Sequence, residues 1–371
     1  MNVSEKKTKV MHVINGEFFA GAERVQDILA LRLPDYGYEV SFACVKPAQF
    51  SVCRNSTGPL FELPMKSKYD LAPAWDIAHT VKQDGYALLH THTPRSVLIG
   101  RIAAWLAGVP LVHHVHSPTT RDTESFWRNR TNAIVERLSL TGVARLIPVS
   151  KNLEDYLRKQ GWSQARINMV ANGVVTPGPL SSRFKPEREW VIGSVALYRP
   201  RKGMEVLIQA LSNLRKMGKS VRLRAVGAFE TLEYEKTIKT MADELGISDV
   251  IDWIGFTKNV NIEFDKMDVM VLPSLYGEGM PMVILEAMAM GVPVLSSDVE
   301  GISEVIQHGS TGLVAMAGDA ENLANILADL INGKYDWNGI RKVAYEFQVN
   351  CLSDHSMARG VAHIYDTILS N

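Results

Sequence analysis

Cysteine is scarce: the 371 residues hold three, Cys44, Cys53 and Cys351. Their odd number and wide spacing exclude a disulfide framework and a cysteine-based zinc site, and favour a reducing compartment. Net charge is lacking too, with 40 Lys and Arg against 40 Asp and Glu, which argues against a nucleic acid held by bulk charge. No apolar run approaches the roughly 20 residues of a membrane-spanning helix. Met1 is followed by Ser4, Glu5, Lys6 and Lys7 rather than by a signal-peptide core. A cytoplasmic protein is expected, one that reaches a membrane only peripherally at its inner face. Internal repeats and low-complexity stretches are absent, as are D-x-D and G-x-G-x-x-G motifs. The missing D-x-D speaks against a metal-chelated diphosphate, so no metal and no cofactor are expected, and the missing glycine fingerprint against an NAD-type site.

What is present is an α/β pattern. The length favours two domains, and 46% hydrophobic with 22% charged residues is ordinary for a globular chain. Charge is split between the halves: residues 1–180 carry 21 basic against 15 acidic side chains, and residues 181–371 carry 19 against 25. Such a split marks an anionic partner. Short apolar strands alternate with helix-like segments, as in parallel sheets. "KVMHVI" (9–14), "YEVSFACV" (38–45), "YALLHTH" (86–92), "PLVHHVH" (110–116) and "ARLIPVS" (144–150) read as strands of a first domain. Ser150 is placed to cap "KNLEDYLRKQG". The stretch "NGVVTPGPLSSRFKPERE" (172–189) has no sustained periodicity and reads as a linker. Strands restart with "WVIGSVAL" (190–197), "SVRLRAVG" (220–227), "VIDWIGF" (250–256), "VMVLPS" (269–274), "VPVLSS" (292–297) and "TGLVA" (311–315). Two Rossmann-like domains, 1–180 and 181–349, with parallel sheets facing a central cleft are the expected fold.

The most informative stretch is "EGMPMVILEAMAMGVP", from Glu278 to Pro293. Pro281 suits the first turn of a helix, where a missing N–H costs little. Glu278 then lies in the loop before that helix and Glu286 nearly two turns inside it. Amides of Gly279, Met280 and their neighbours, with the positive end of the helix dipole, form an anion site at the carboxyl edge of the sheet. A carboxylate repels phosphate but accepts hydrogen bonds from a diol. One anion site flanked by two carboxylates therefore describes a nucleotide-sugar pocket, with Glu286 on the ribose and Glu278 on the donated sugar. In "RPRKG", Arg199, Arg201 and Lys202 are cations suited to a diphosphate leaving group. In "HHVH", His114 and His116 share a strand face as a metal pair would, yet no carboxylate or cysteine stands at ligand spacing. His92 reads equally as a cleft residue or a buried, hydrogen-bonded one. "TTRDTESFWRNRTNAIVERL" (119–138) sets Arg121, Arg128 and Arg130 around Phe126 and Trp127. Two readings stand for it: a solvated helix face, or a dock for anionic lipid or a phosphorylated glycan.

"PSLYGEGMPMVILEAMAMGVPVLSSDVEG" resembles the donor motif of GT-B glycosyltransferases of the GT4 family, whose E-x7-E signature matches Glu278 and Glu286. "GAE" (21–23), "HTHTPRSVLIGRIAAWLAGVPLVHHVHS", "VSKNLEDYL…INMVANGVV" and "ALYRPRKGMEVLIQAL" are similar to further motifs of that family, in order. The resemblance implies retaining, metal-independent transfer of a sugar from a nucleotide diphosphate sugar to a hydroxyl of a glycan or lipid-linked acceptor. It gives Gly21 a backbone approach to the diphosphate, His116 a place beside donor sugar and acceptor, and Phe256 one near the base. The family's usual arginine five residues before the lysine is Leu197 here, so Arg199 is expected to take its role beside Lys202. The N-terminal domain would bind the acceptor, completed by a last helix at about 356–369 within 350–371. A nucleotide-sugar epimerase and a silent nucleotide-sugar-binding module are the alternatives.

Overall fold

The strands of the protein, seen in a computed structural model that describes residues 7–67, 70–116 and 137–370, form two six-stranded sheets. The chain divides into two units, Met1–Gly173 with Asp354–Asn371, and Val174–Ser353. In the first unit the strands are β1 (Thr8–Ile14), β2 (Tyr38–Cys44), β3 (Leu60–Glu62), β4 (Leu88–Thr91), β5 (Leu111–Val115) and β6 (Arg145–Pro148). They lie in the order β3-β2-β1-β4-β5-β6, and every pair is parallel. Near-continuous apolar runs suit strands covered by helices on both faces. β3 was not expected from the sequence. It has three residues, and Leu60 and Phe61 are only half-buried, too short a run for any periodicity.

Helices Gly21–Arg32, Pro73–Asp84 and Pro94–Ala107 lie between these strands along the chain, and Lys151–Lys159 follows β6. Thr93 and Ser96 form a capping box on the third, and Ser150 Oγ accepts from the Leu153 amide at 3.3 Å on the fourth. Helix Asp354–Leu369 belongs to the same unit. It is held by Arg32 on Asp354 (2.5 Å), by Tyr38 Oη on Asp366 (2.5 Å) and by the fully buried Tyr365.

The second unit repeats the plan with β7 (Trp190–Val195), β8 (Val221–Val226), β9 (Ile251–Gly255), β10 (Val269–Leu272), β11 (Val294–Ser297) and β12 (Leu313–Ala315). Their order is β12-β11-β10-β7-β8-β9. Helix Met204–Lys216 turns Met204, Leu207, Ile208, Leu211 and Leu214 into the core at helical spacing. Each such side chain contributes roughly 1.5–3 kcal/mol by burial. In each sheet the strand order reverses once, between β1 and β4 and between β7 and β10. Open α/β sheets bind ligands beyond the carboxyl ends of the strands at such reversals. Among the described residues no helix is long and apolar enough to cross a membrane.

Candidate active site

Two loops meet at the β7–β10 reversal. The first runs from β7 through the short 3-10 turn Pro200–Lys202 to Gly203, and the second follows β10 through Ser274 to Pro281. The Leu275 amide donates to the Arg201 carbonyl at 2.9 Å, and the Arg201 guanidinium donates to the Gly277 carbonyl at 2.9 Å. Gly203 makes the approach feasible: its φ is +65°, and a Cβ there would lie 2.0 Å from the Pro273 carbonyl oxygen. Gly301 does the same behind the second loop, where a Cβ would stand 1.9 Å from the Gly279 carbonyl oxygen.

The loops converge on Glu278. Its carboxylate accepts from Lys202 Nζ at 2.5 Å and from Ser274 Oγ at 2.6 Å, with Arg201 at 3.9 Å. Burial alone would raise this carboxyl, but the Lys202 and Arg201 charges outweigh it and hold it below the ordinary carboxylate range. Burial lowers the Lys202 ammonium, and the Glu278 charge opposes that shift. The pair is therefore a charged one inside a nearly closed site. Helix Met282–Ala289 starts one residue later than expected, with Pro281 as its N-cap. Glu286 is thus at its fifth position, little more than one turn in rather than nearly two, and it is buried. Met280, two residues before the helix, is buried too, while Phe256, just past β9, is exposed.

Arg199 is placed differently from its sequence expectation. It pairs with Glu230 at 3.2 Å, whereas Arg201 joins Lys202 on Glu278. The backbone explains this: Arg199 is extended, as the N-cap of the 3-10 turn, and Arg201 sits within the turn that faces the second loop.

In the N-terminal unit, Gly21 opens the helix Gly21–Arg32, and a Cβ there would meet no atom within 4 Å. Two residues on, Glu23 is buried, and burial pushes its carboxyl up from 4.5 to about 7. The unfolded chain releases this proton near pH 4.5 and the folded chain near pH 7. The contribution of this group to stability therefore falls between these values as pH rises, by roughly 3 kcal/mol, opposite in sign to that of the buried histidines described below. In denaturant titrations at pH 5 and pH 8, Glu23→Gln should lose that contribution, so its stability change between the two pH values should differ from the wild type's by about that amount; an identical change in both proteins would contradict the assignment.

His116 follows β5, and its Nε2 lies 3.1 Å from His92 Nδ1. Around them the structure gathers histidines that spacing along the chain does not connect. His12 and His90 are register partners on β1 and β4, and both meet the Tyr365 hydroxyl, at 3.1 and 2.6 Å. His114 stacks between His90 and His116, with ring centroids at 5.5 and 4.7 Å. His113 points the other way and bonds Thr91 Oγ1 at 2.9 Å. Burial pushes His12 and His113 down to about 3 and His116 to about 4. Burial, joined by neighbouring imidazoles, takes His90, His92 and His114 well below the usual value. The basic stretch with Arg121, Phe126, Trp127, Arg128 and Arg130 lies outside the described residues.

Comparison with known proteins agrees in both units. Residues 181–346 match the family model of glycosyl transferases group 1, and residues 20–173 that of a glycosyl transferase 4-like domain. The amylovoran biosynthesis glycosyltransferase AmsK of Erwinia amylovora is 32% identical over 52% of this chain and 48% of its own. A diphosphoundecaprenol-linked GlcNAc α-1,3-galactosyltransferase of Escherichia coli, whose name gives UDP-Gal as donor, is 22% identical over 90% of both chains. With AmsK and the putative colanic acid biosynthesis glycosyltransferases WcaL, the match spans about half the relative's length, 46 to 57%. In fold, the chain resembles Anabaena HepE crystallised with UDP and glucose, at a TM-score of 0.86 and 20% identity, over 97% of this chain and 100% of that one. Sucrose-phosphate synthase from Thermosynechococcus elongatus gives a TM-score of 0.80 at 21% identity, over 98% and 100%.

Proposed function

The chain belongs to the group 1 (GT4-type) glycosyl transferases of GT-B fold, and from that premise we propose that it transfers a sugar from a nucleotide diphosphate sugar to a hydroxyl of a glycan or lipid-linked acceptor. Cell-envelope polysaccharide synthesis, on the cytoplasmic side of a membrane, is the proposed setting. Relatives named for amylovoran, colanic acid and a diphosphoundecaprenol-linked acceptor support it. The observation that carries this reading is the buried Glu278 carboxylate, ionised between Lys202, Ser274 and Arg201 at the β7–β10 reversal.

In the proposed reaction the second unit binds the donor. Lys202 has three N–H donors and spends one on Glu278, which leaves two for the diphosphate. Arg201 adds a second cation, a role assigned to Arg199 from the sequence. The N-terminal amides of helix Met282–Ala289 add fixed positive ends. Glu278 accepts from the donated sugar's hydroxyls and Glu286 from the ribose diol, with Phe256 near the base. Gly279, Met280 and Pro281 set the loop against the diphosphate. For the N-terminal unit, the family resemblance assigns Gly21 and His116 to substrate. The acceptor oxygen bonds to the anomeric carbon on the face the diphosphate leaves, the C–O bond to diphosphate breaks, and the acceptor proton passes to a phosphate oxygen. The product keeps the donor's anomeric configuration, and the cations do the work a metal would otherwise do.

The test follows nucleoside diphosphate release from UDP-sugars with and without a lipid-linked sugar acceptor. The expected result is release that depends on acceptor and an α-linked product from an α-linked donor, with a raised donor KM in Glu286→Ala. An isomeric sugar formed without acceptor would identify an epimerase. Donor binding with neither product would leave a binding module.

A further inference from the structure

The histidine cluster of the N-terminal unit holds more than transfer needs. It sits at the β1–β4 reversal, beyond or near the carboxyl ends of β1, β4 and β5. One ring nitrogen from each of His92, His114 and His116 lies within 4.8 Å of the other two. His92 Nδ1 and His116 Nε2 share a hydrogen bond at 3.1 Å, a separation close to the roughly 3.3 Å between two nitrogens bound 2.0–2.1 Å from one tetrahedral zinc ion, so that an ion would take the place of the shared proton. A second, independent observation points to a ligand. His114 is fully buried, and neither of its ring nitrogens has a hydrogen-bond partner. A neutral imidazole carries one donor and one lone pair, and buried polar atoms are nearly always satisfied. Coordination satisfies a lone pair where no protein donor is in reach.

Three imidazoles with no carboxylate or thiolate suit a borderline ion such as zinc and not magnesium or calcium. A competing set, His12, His90 and His92, shares His92. There, His12 Nε2 and His90 Nδ1 are already engaged by Tyr365, and all three residues are closed off from solvent. His116 is half-buried, so the outer set is the one that reaches solvent. We propose that His92, His114 and His116 form a Zn²⁺ site in the N-terminal unit, and that the bound ion withdraws His116 from transfer. The second half rests on the transferase reading; the first does not.

The test dialyses the untagged full chain against Zn²⁺ and measures bound metal by mass spectrometry. Co²⁺ serves as a visible-absorption probe of tetrahedral geometry. One equivalent bound by the wild type, lost in His114→Phe and in His114→Gln with folding checked by circular dichroism, is the expected result. No bound zinc, zinc kept in both variants, or zinc lost only in His12→Gln would overturn the site. Zinc is expected to suppress transfer by the wild type at least tenfold, reversibly with chelator, and to leave His114→Gln unaffected. One equivalent bound with transfer unchanged would overturn the inhibitory half alone.

Discussion

Replacing Lys202 with alanine is expected to lower kcat/KM for transfer by about 10²–10³-fold, the size seen when one donor to a developing oxyanion is removed. The ammonium lies 2.5 Å from Glu278 inside a nearly closed site, where charge is screened far less than in water. Most of the loss should fall on kcat, since negative charge on the diphosphate grows as the C–O bond breaks. The same substitution strips a buried carboxylate of its nearest cation. Breaking such a pair costs about 3–5 kcal/mol when nothing else compensates, and Arg201 at 3.9 Å keeps the cost below that. Adding Glu278→Gln to Lys202→Ala should therefore recover stability without recovering transfer. A double variant no more stable than Lys202→Ala, or transfer within a few-fold of wild type, would contradict the assignment.

Mild acid is expected to unfold the N-terminal unit. His12, His90, His92, His113 and His114 are buried and held neutral. The unfolded chain takes up protons at these side chains near pH 6.5, and the folded chain does so only at much lower pH. Stability is therefore fully present above the unfolded value and is lost as pH falls below it. From pH 7 to pH 5.5 the five imidazoles together forfeit on the order of several kcal/mol, which outweighs the opposite contribution of Glu23. A whole domain is stable by only about 5–15 kcal/mol. Denaturant titrations at pH 7, 6 and 5.5 should show the midpoint falling steeply. A midpoint unchanged across that window would mean that the histidines are not buried together.

Much of this was legible along the chain because its signals are local. Short apolar runs located eleven of the twelve strands among the described residues, and the glycines and Pro281 marked the loops around Glu278. What escaped depends on pairing between distant segments. His12 sits mid-strand in "KVMHVI" as any buried residue could. Only the β1–β4 register sets it beside His90, 78 positions later. From the sequence, His114 and His116 were set aside as a metal pair because no carboxylate or cysteine stood at ligand spacing; the neighbouring strand brings a third imidazole, His92, within 4.8 Å of both. The sequence favoured Arg199 as the partner of Lys202, and only the 3-10 turn shows Arg199 paired with Glu230 and Arg201 beside Glu278.

The central claim is that the second unit binds a nucleotide diphosphate sugar through Lys202, Glu278 and Glu286. A thermal-shift panel of UDP-, GDP-, ADP- and dTDP-sugars on the full chain tests it directly, because any ligand of the native state raises its stability by mass action. One class of donor, with UDP-sugars the first to try, should raise the wild-type melting temperature. Glu286→Ala should abolish most of that rise, and Lys202→Ala should diminish it. No shift with any donor, or an equal shift in both variants, would contradict it.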